Sequence, residues 1–380
     1  MENEKISVLI VDDSALMRNV IGRIVEGSPN LLVAGKAMNG EFALQKIPGL
    51  DPDIIILDLE MPQMNGIEFL KERKRRGIEV PVVILSSIAK RGAEVTMEAI
   101  SLGASDFILK PSGSATEDIH SVGNHIVETL TAYGSQYKRK KKPGTREILR
   151  EEKRVVESPA VPVQKPTASA LPGFPKNKRP EKPVANDIQV VAIGISTGGP
   201  NALREVFANI SAKLPVPVLV VQHMPAGFTQ EFAKSLDRLC PLEVKEAAEG
   251  DLLAPGRVLV APGHSHLELE RKPLATIVRL SQEPPVNGHR PSADVLFSSV
   301  AKCYGPHALA VIMTGMGRDG AREIGTIYNL GGTTVAQDEQ SSVVFGMPRV
   351  AIENGYIQHV VPLKNMAETI NTLVAENGPA

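Results

Sequence analysis

Short, continuous apolar runs punctuate the first third of the chain: Ile6-Ser7-Val8-Leu9-Ile10-Val11, Asp53-Ile54-Ile55-Ile56-Leu57, Pro81-Val82-Val83-Ile84-Leu85 and Asp106-Phe107-Ile108-Leu109. Helix-compatible stretches of crossover length separate them. Runs of this kind are the signature of parallel strands buried on both faces, so the first half reads as a doubly wound α/β sheet. The alternation resumes with Ile188-Gln189-Val190-Val191-Ala192-Ile193, Val216-Pro217-Val218-Leu219-Val220-Val221, Arg257-Val258-Leu259-Val260-Ala261 and Ala308-Leu309-Ala310-Val311-Ile312-Met313. These predict a second parallel α/β domain. No internal repeat relates the two halves by sequence.

Between about Lys138 and Pro183 the pattern fails. Lys138-Arg139-Lys140-Lys141-Lys142 is followed by Pro143, Pro159, Pro162, Pro166, Pro172, Pro175, Pro180 and Pro183. Repeated prolines remove backbone donors, and too few large apolar side chains remain to offset ordering entropy. A flexible or polyproline-like tether is expected. The basic cluster could meet nucleic acid or a membrane surface, but a solvated charge run ending a helix is the preferred reading. The domains are therefore read as 1–125, a helix end and linker at 126–186, and 187–380.

Composition narrows the classes further. The 380 residues suffice for two cores, and a formal net charge of −1 gives no broad electrostatic case for nucleic acid or membrane as partner. Two cysteines, Cys240 and Cys303, make neither a disulfide framework nor a metal site. The polar start, Met1 to Lys5, does not resemble a secretory signal, and no apolar stretch approaches the roughly 18 to 20 residues that span a bilayer. A soluble, cytoplasmic monomer without membrane insertion is expected.

In open α/β sheets, ligands sit outside the carboxyl ends of the strands. In the first half, the residues there are Asp12, Asp13, Asp58, Ser86 and Lys110. One Asp after a strand is commonly a helix cap, but three carboxylates converging at one edge repel unless a hard cation neutralises them. Mg²⁺ suits such an oxygen-rich site, with Ser86 and Lys110 to hold phosphate oxygens. Asp58, the central carboxylate, would attack a phosphoryl donor to give an acyl phosphate.

Residues 1 to about 125 resemble a response-regulator receiver domain of flavodoxin-like fold. Val11-Asp12-Asp13-Ser14, Leu57-Asp58-Leu59-Glu60-Met61-Pro62-Gln63-Met64-Asn65-Gly66 and Lys110-Pro111 carry the likeness. The resemblance implies phosphorylation of Asp58 by a histidine kinase and Mg²⁺ held by Asp13 and Asp58 with Asp12 assisting. It also implies that Ser86 and Lys110 sense the phosphoryl group.

In the second half, the first strand ends in Gly194-Ile195-Ser196-Thr197-Gly198-Gly199-Pro200. A dinucleotide fingerprint would need glycine at 196, and the next strand ends in Gln222-His223 without a ribose-binding acid. The run instead satisfies G-x-S-x-G, a sharp turn that exposes a serine hydroxyl at the start of a helix. His223 ends the next strand, and Asp319 lies in the glycine-rich loop Thr314-Gly315-Met316-Gly317-Arg318-Asp319-Gly320. Nucleophile, base and orienting carboxylate thus all follow strand ends at one edge. The other histidines, His120, His125, His264, His266, His289, His307 and His359, have weaker claims. His264-x-His266 lacks a third zinc ligand at characteristic spacing.

These residues, with Gln222 to Thr229, Ala261-Pro262-Gly263, Ala336-Gln337-Asp338 and Val344 to Pro348, resemble the catalytic domain of the chemotaxis protein-glutamate methylesterases. The likeness spans 187 to 370 and implies a Rossmann-like serine hydrolase needing no cofactor. It implies hydrolysis of glutamyl methyl esters, and deamidation of glutamines, on methyl-accepting chemoreceptors. The Met316 N–H is, by this likeness, the oxyanion donor. The rival reading is a receiver-controlled binding or transcription-regulating protein whose second domain is not catalytic.

Overall fold

A computed structural model describes residues 5–87, 90–110, 116–141 and 187–377 of the chain. The first sheet has five parallel strands in the order β2-β1-β3-β4-β5: β1 Ile6–Val11, β2 Leu31–Ala37, β3 Ile54–Asp58, β4 Val82–Ser86 and β5 Asp106–Leu109. Its helices are α1 Ala15–Glu26, α2 Gly40–Leu50, α3 Gly66–Arg75, α4 Lys90–Ser101 and α5 Thr116–Lys141. Ile54, Ile55, Ile56 and Leu57 are all wholly buried, as a strand covered on both faces requires. Each contributes about 1.5–3 kcal/mol of apolar burial. Local sequence sets the helix starts: the Ser14 hydroxyl accepts the Met17 N–H, and Asn65 and Glu68 form a reciprocal capping box.

The second sheet has seven parallel strands in the order β14-β13-β12-β6-β7-β9-β8. Its centre is β6 Val190–Ile195, flanked by β7 Val218–Gln222 and β12 Ala308–Ile312; beyond them lie β8 Glu243–Glu246, β9 Arg257–Val260, β13 Thr333–Gln337 and β14 His359–Val361. The register Ile195↔Gln222 and Ile312↔Gly194 brings the ends of the three central strands level. An antiparallel hairpin, β10 His266–Arg271 with β11 Thr276–Ser281, interrupts the parallel plan. Alternation of this hairpin, polar outside and apolar inside, was absent from the continuous-run reading. The main helices are α6 Gly199–Ala208, α7 Phe228–Asp237, α8 Ala293–Tyr304, α9 Glu323–Asn329, α10 Met347–Glu353 and α11 Leu363–Asn377.

The two sheets share one apolar cluster that includes Phe107 and Phe228. Their rings stack at 4.9 Å and 8°. The Asn201 side-chain amide donates to the Ala104 and Ser105 carbonyls, and α4 packs on α7. The basic run Lys138–Lys141 closes α5, with Lys141 paired to Asp51. The proline-rich tether lies outside the described residues. Among those described, no helix is long and apolar enough to cross a membrane.

Candidate active site

At the carboxyl edge of the first sheet, Asp12 and Asp58 are almost wholly buried and Asp13 is exposed. One oxygen from each of the three lies within 4.8 Å of the others. Lys110 Nζ reaches Asp58 Oδ2 at 2.7 Å and Asp12 Oδ2 at 3.4 Å. One ammonium facing two buried carboxylates leaves a deficit of positive charge. Beyond its long contact with Lys110, Asp12 Oδ2 has no hydrogen-bond partner among the described residues, which leaves it room to serve a cation. Burial raises both carboxyl pKa values, against the opposing pull of Lys110. Burial would lower that of Lys110, yet the Asp58 and Asp12 partners raise it. Ser86 Oγ turns to Thr96 Oγ1 at 2.7 Å, and Thr96 in turn donates to the Gly92 carbonyl at 2.6 Å. No hydrogen bond joins Ser86 to Asp58 among the described residues.

In the second sheet, Ser196 directly follows β6. Gly198 takes φ +84°, a left-handed conformation at the N-cap that lets α6 start three residues after the serine. The Ser196 N–H donates to the Thr314 carbonyl at 3.0 Å, and the Thr314 hydroxyl donates to the Thr197 carbonyl at 3.0 Å. Gly315 must be glycine, since a Cβ there would lie 2.7 Å from Ser196 Cβ and 2.4 Å from Met347 Sδ. Gln222 Nε2 donates to the Ser196 carbonyl at 3.0 Å and the His223 carbonyl at 3.1 Å, tying the two strand ends together.

Asp319 and His223 meet directly, His223 Nε2 lying 2.8 Å from Asp319 Oδ2. Asp319 is 1% exposed yet well satisfied. Its Oδ2 also accepts the Ala293 N–H at 2.6 Å, and its Oδ1 accepts Ser292 Oγ at 2.7 Å and Asn287 Nδ2 at 2.9 Å. The amide of Ala293 opens α8, so the positive end of that helix faces the carboxylate. Burial alone would raise the Asp319 pKa, but the bonds from His223, Ser292 and Asn287 hold it far below the ordinary carboxyl value. A carboxylate only accepts, so Nε2 of His223 carries a proton, and the neutral ring in that tautomer has its lone pair on Nδ1. That Nδ1 is buried and has no hydrogen-bond partner among the described residues.

The structure therefore joins His223 to Asp319 and sets Ser196 on the adjoining strand end, without a hydrogen bond from Ser196 to His223. The N–H groups of Met316 and Thr197 make no hydrogen bond among the described residues. A cleft of about 460 Å³ beside the pair is lined by Asn287, His289, Gly317, Arg318, Asp319 and Val350. Asn287 and Ser292 were not singled out in the sequence, and His289 only as a histidine with a weaker claim, because their proline-rich segment carries no periodicity to place it. Gln222 and Thr314 were discoverable as the polar residues that close two apolar strands. His264 is exposed, and His266 instead accepts the Ser292 N–H on Nδ1 at 3.2 Å.

A CheB methylesterase family profile matches residues 191–370, and a response regulator receiver domain profile matches residues 8–121. The protein-glutamate methylesterase/protein-glutamine glutaminase of Treponema denticola is 54% identical over 368 residues, spanning 97% of this chain and 98% of that protein. Its namesake in Treponema pallidum is 50% identical over 398 residues, spanning 96% of each. The crystal structure of the Thermotoga maritima CheB methylesterase catalytic domain is 40% identical, covers 50% of this chain and all of that one, and gives a TM-score of 0.49. With both domain profiles in place and relatives matched over nearly their full length, this chain belongs to the protein-glutamate methylesterase/protein-glutamine glutaminase family.

Proposed function

We propose that the chain hydrolyses glutamate γ-methyl esters on methyl-accepting chemoreceptors, releasing methanol, and deamidates receptor glutamines, under control of phosphorylation at Asp58. The observation that carries this reading is the His223–Asp319 pair, whose Nε2–H tautomer puts the lone pair of the neutral ring on Nδ1, with Ser196 following the adjoining strand. In this reading Ser196 Oγ attacks the ester carbonyl, and its proton passes to His223 Nδ1. The imidazolium so formed is stabilised by Asp319 and returns the proton to the leaving methoxide. Water, deprotonated by the same nitrogen, then hydrolyses the acyl-enzyme to free glutamate. The Met316 N–H, with that of Thr197, would donate to the oxyanion. Deamidation follows the same path with ammonia leaving.

A histidine kinase would supply the phosphoryl group. Asp12, Asp13 and Asp58 would hold Mg²⁺, which when bound screens the carboxylates and the incoming phosphoryl oxygens. Lys110 would pair with a phosphoryl oxygen, and Ser86 would leave Thr96 to do the same. Residues 1–125 and 187–380 act as regulatory and catalytic domains, the first docked over the second in the unphosphorylated state. The enzyme works as a cytoplasmic monomer beside membrane receptors. The stacked Phe107 and Phe228 and the Asn201 contacts support that docking. A DNA-binding reading is not favoured, since the second half is the α/β domain of the esterase family.

The test is methanol release from methylated receptor membranes, with and without a small-molecule phosphodonor, for the wild type and Ser196→Ala. Release by the wild type that phosphodonor increases and Ser196→Ala abolishes is expected. Equal release by both proteins would remove Ser196 from the mechanism.

A further inference from the structure

His223 is held at one end only. A hydrogen bond from Nε2 to Asp319 fixes one ring atom, but the imidazole can still swing about that bond and carry Nδ1 out of line. Among the described residues nothing else hydrogen-bonds to the ring, since Nδ1 has no partner there. A base whose accepting atom wanders by about 1 Å can lose on the order of 10²-fold in rate. Some further contact must set the plane.

His289 makes that contact. Its ring lies on the face of His223 with centroids 3.8 Å apart and planes 10° from parallel. Among the described residues no other aromatic ring stacks on His223. Asn287, two residues earlier, donates to both Asp319 and Asp294, at 2.9 and 2.8 Å. Ser292, three residues later, donates its hydroxyl to Asp319 at 2.7 Å. The loop bearing His289 is thus pinned on both sides to the carboxylate that orients His223.

We propose that His289 is a positioning residue for this hydrolase: its ring, clamped through Asn287 and Ser292 to Asp319, fixes the plane of His223 so that Nδ1 meets the serine hydroxyl. Parallel stacking suits two neutral imidazoles better than two charged ones. Burial, with His223 beside it, pushes the His289 pKa down to about 4, so the stacked ring is neutral at neutral pH. His289 exchanges no proton with substrate in this role. A planar ring of any kind should serve.

The proposal rests on the esterase reading of Ser196, His223 and Asp319. Its test is steady-state methanol release by the full chain, phosphodonor present, for wild type, His289→Ala, His289→Phe and His289→Leu, with Ser196→Ala as blank. His289→Ala and His289→Leu should lower kcat about 10- to 100-fold with KM within about twofold, and His289→Phe should stay within about threefold of wild type. The rate of Ser196 labelling by a fluorophosphonate should follow the same order. If His289→Ala does not fold, the Leu and Phe variants, matched in bulk but not in planarity, still decide. Wild-type kcat in His289→Leu, or equal loss in Leu and Phe, overturns the proposal. Methanol release no greater in wild type than in the Ser196→Ala blank would instead overturn the esterase reading, and the proposal with it.

Discussion

Asp106 Oδ2, at the start of β5, accepts the backbone N–H of Gly198 at 2.9 Å, two residues from Ser196. The same oxygen accepts the Tyr133 hydroxyl at 3.1 Å, and Asp106 is 6% exposed. Burial raises its pKa despite the amides of Gly198 and Phe107. His125 of α5 contributes to the electrostatics of both Asp106 and His289, so α5 lies close to the candidate cleft. A carboxyl group of the receiver domain thus grips the turn that bears Ser196.

Removing that grip should favour undocking. A net hydrogen bond is worth about 1 kcal/mol, so Asp106→Ala should raise ester hydrolysis by the unphosphorylated chain roughly fivefold. Methanol release without phosphodonor measures it. A rate at or below wild type would show that the contact does not restrain the enzyme. The fragment 187–380 should likewise match or exceed the unphosphorylated chain.

Ser196→Ala should lower ester hydrolysis on the order of 10⁶-fold, because Nδ1 of His223 then has no hydroxyl to activate. The loss should fall on kcat, with the variant still folded. Single-turnover assays read it, and residual activity near wild type would place the nucleophile elsewhere.

The parts of these sites that were legible in the sequence are those tied to strand ends. Asp12, Asp58, Ser196 and His223 each follow an apolar run, and a parallel sheet aligns such ends by register without further information. Asp319 was legible through its glycine-rich loop. What escaped was set by tertiary packing. Ser86 follows its strand as expected, yet its hydroxyl is taken up by Thr96, a partner ten residues away on α4. The bond from Gly198 to Asp106 spans 92 positions, and no local pattern announces it. His289 looked ordinary because its value lies in the ring it faces.

Mg²⁺ should stabilise the first domain. Two buried carboxylates share one lysine, and a ligand that binds only the folded state adds about 2.7 kcal/mol at a concentration 100 times its Kd. Thermal unfolding of the full chain should shift upward with Mg²⁺ in wild type and far less in Asp12→Ala or Asp13→Ala. An equal shift in all three proteins would place the ion elsewhere.

His289 also predicts a pH dependence of stability whose sign is fixed. Its ordinary value of 6.5 falls to about 4 in the folded protein, with His223, Asp319 and His125 the charged or titratable groups that act on it. Above pH 6.5 the residue is neutral in both states and contributes nothing. Between about 6.5 and 4 the unfolded chain binds a proton that the folded chain refuses, so stability falls as pH falls through that window. Below about 4 the difference is constant. His289→Phe lacks this proton, so its urea-unfolding free energy should decline less than that of wild type from pH 7 to 4.5, while the two curves run parallel from pH 7 to 8. Parallel curves across the acid window as well would mean that His289 is not held neutral by its burial against His223.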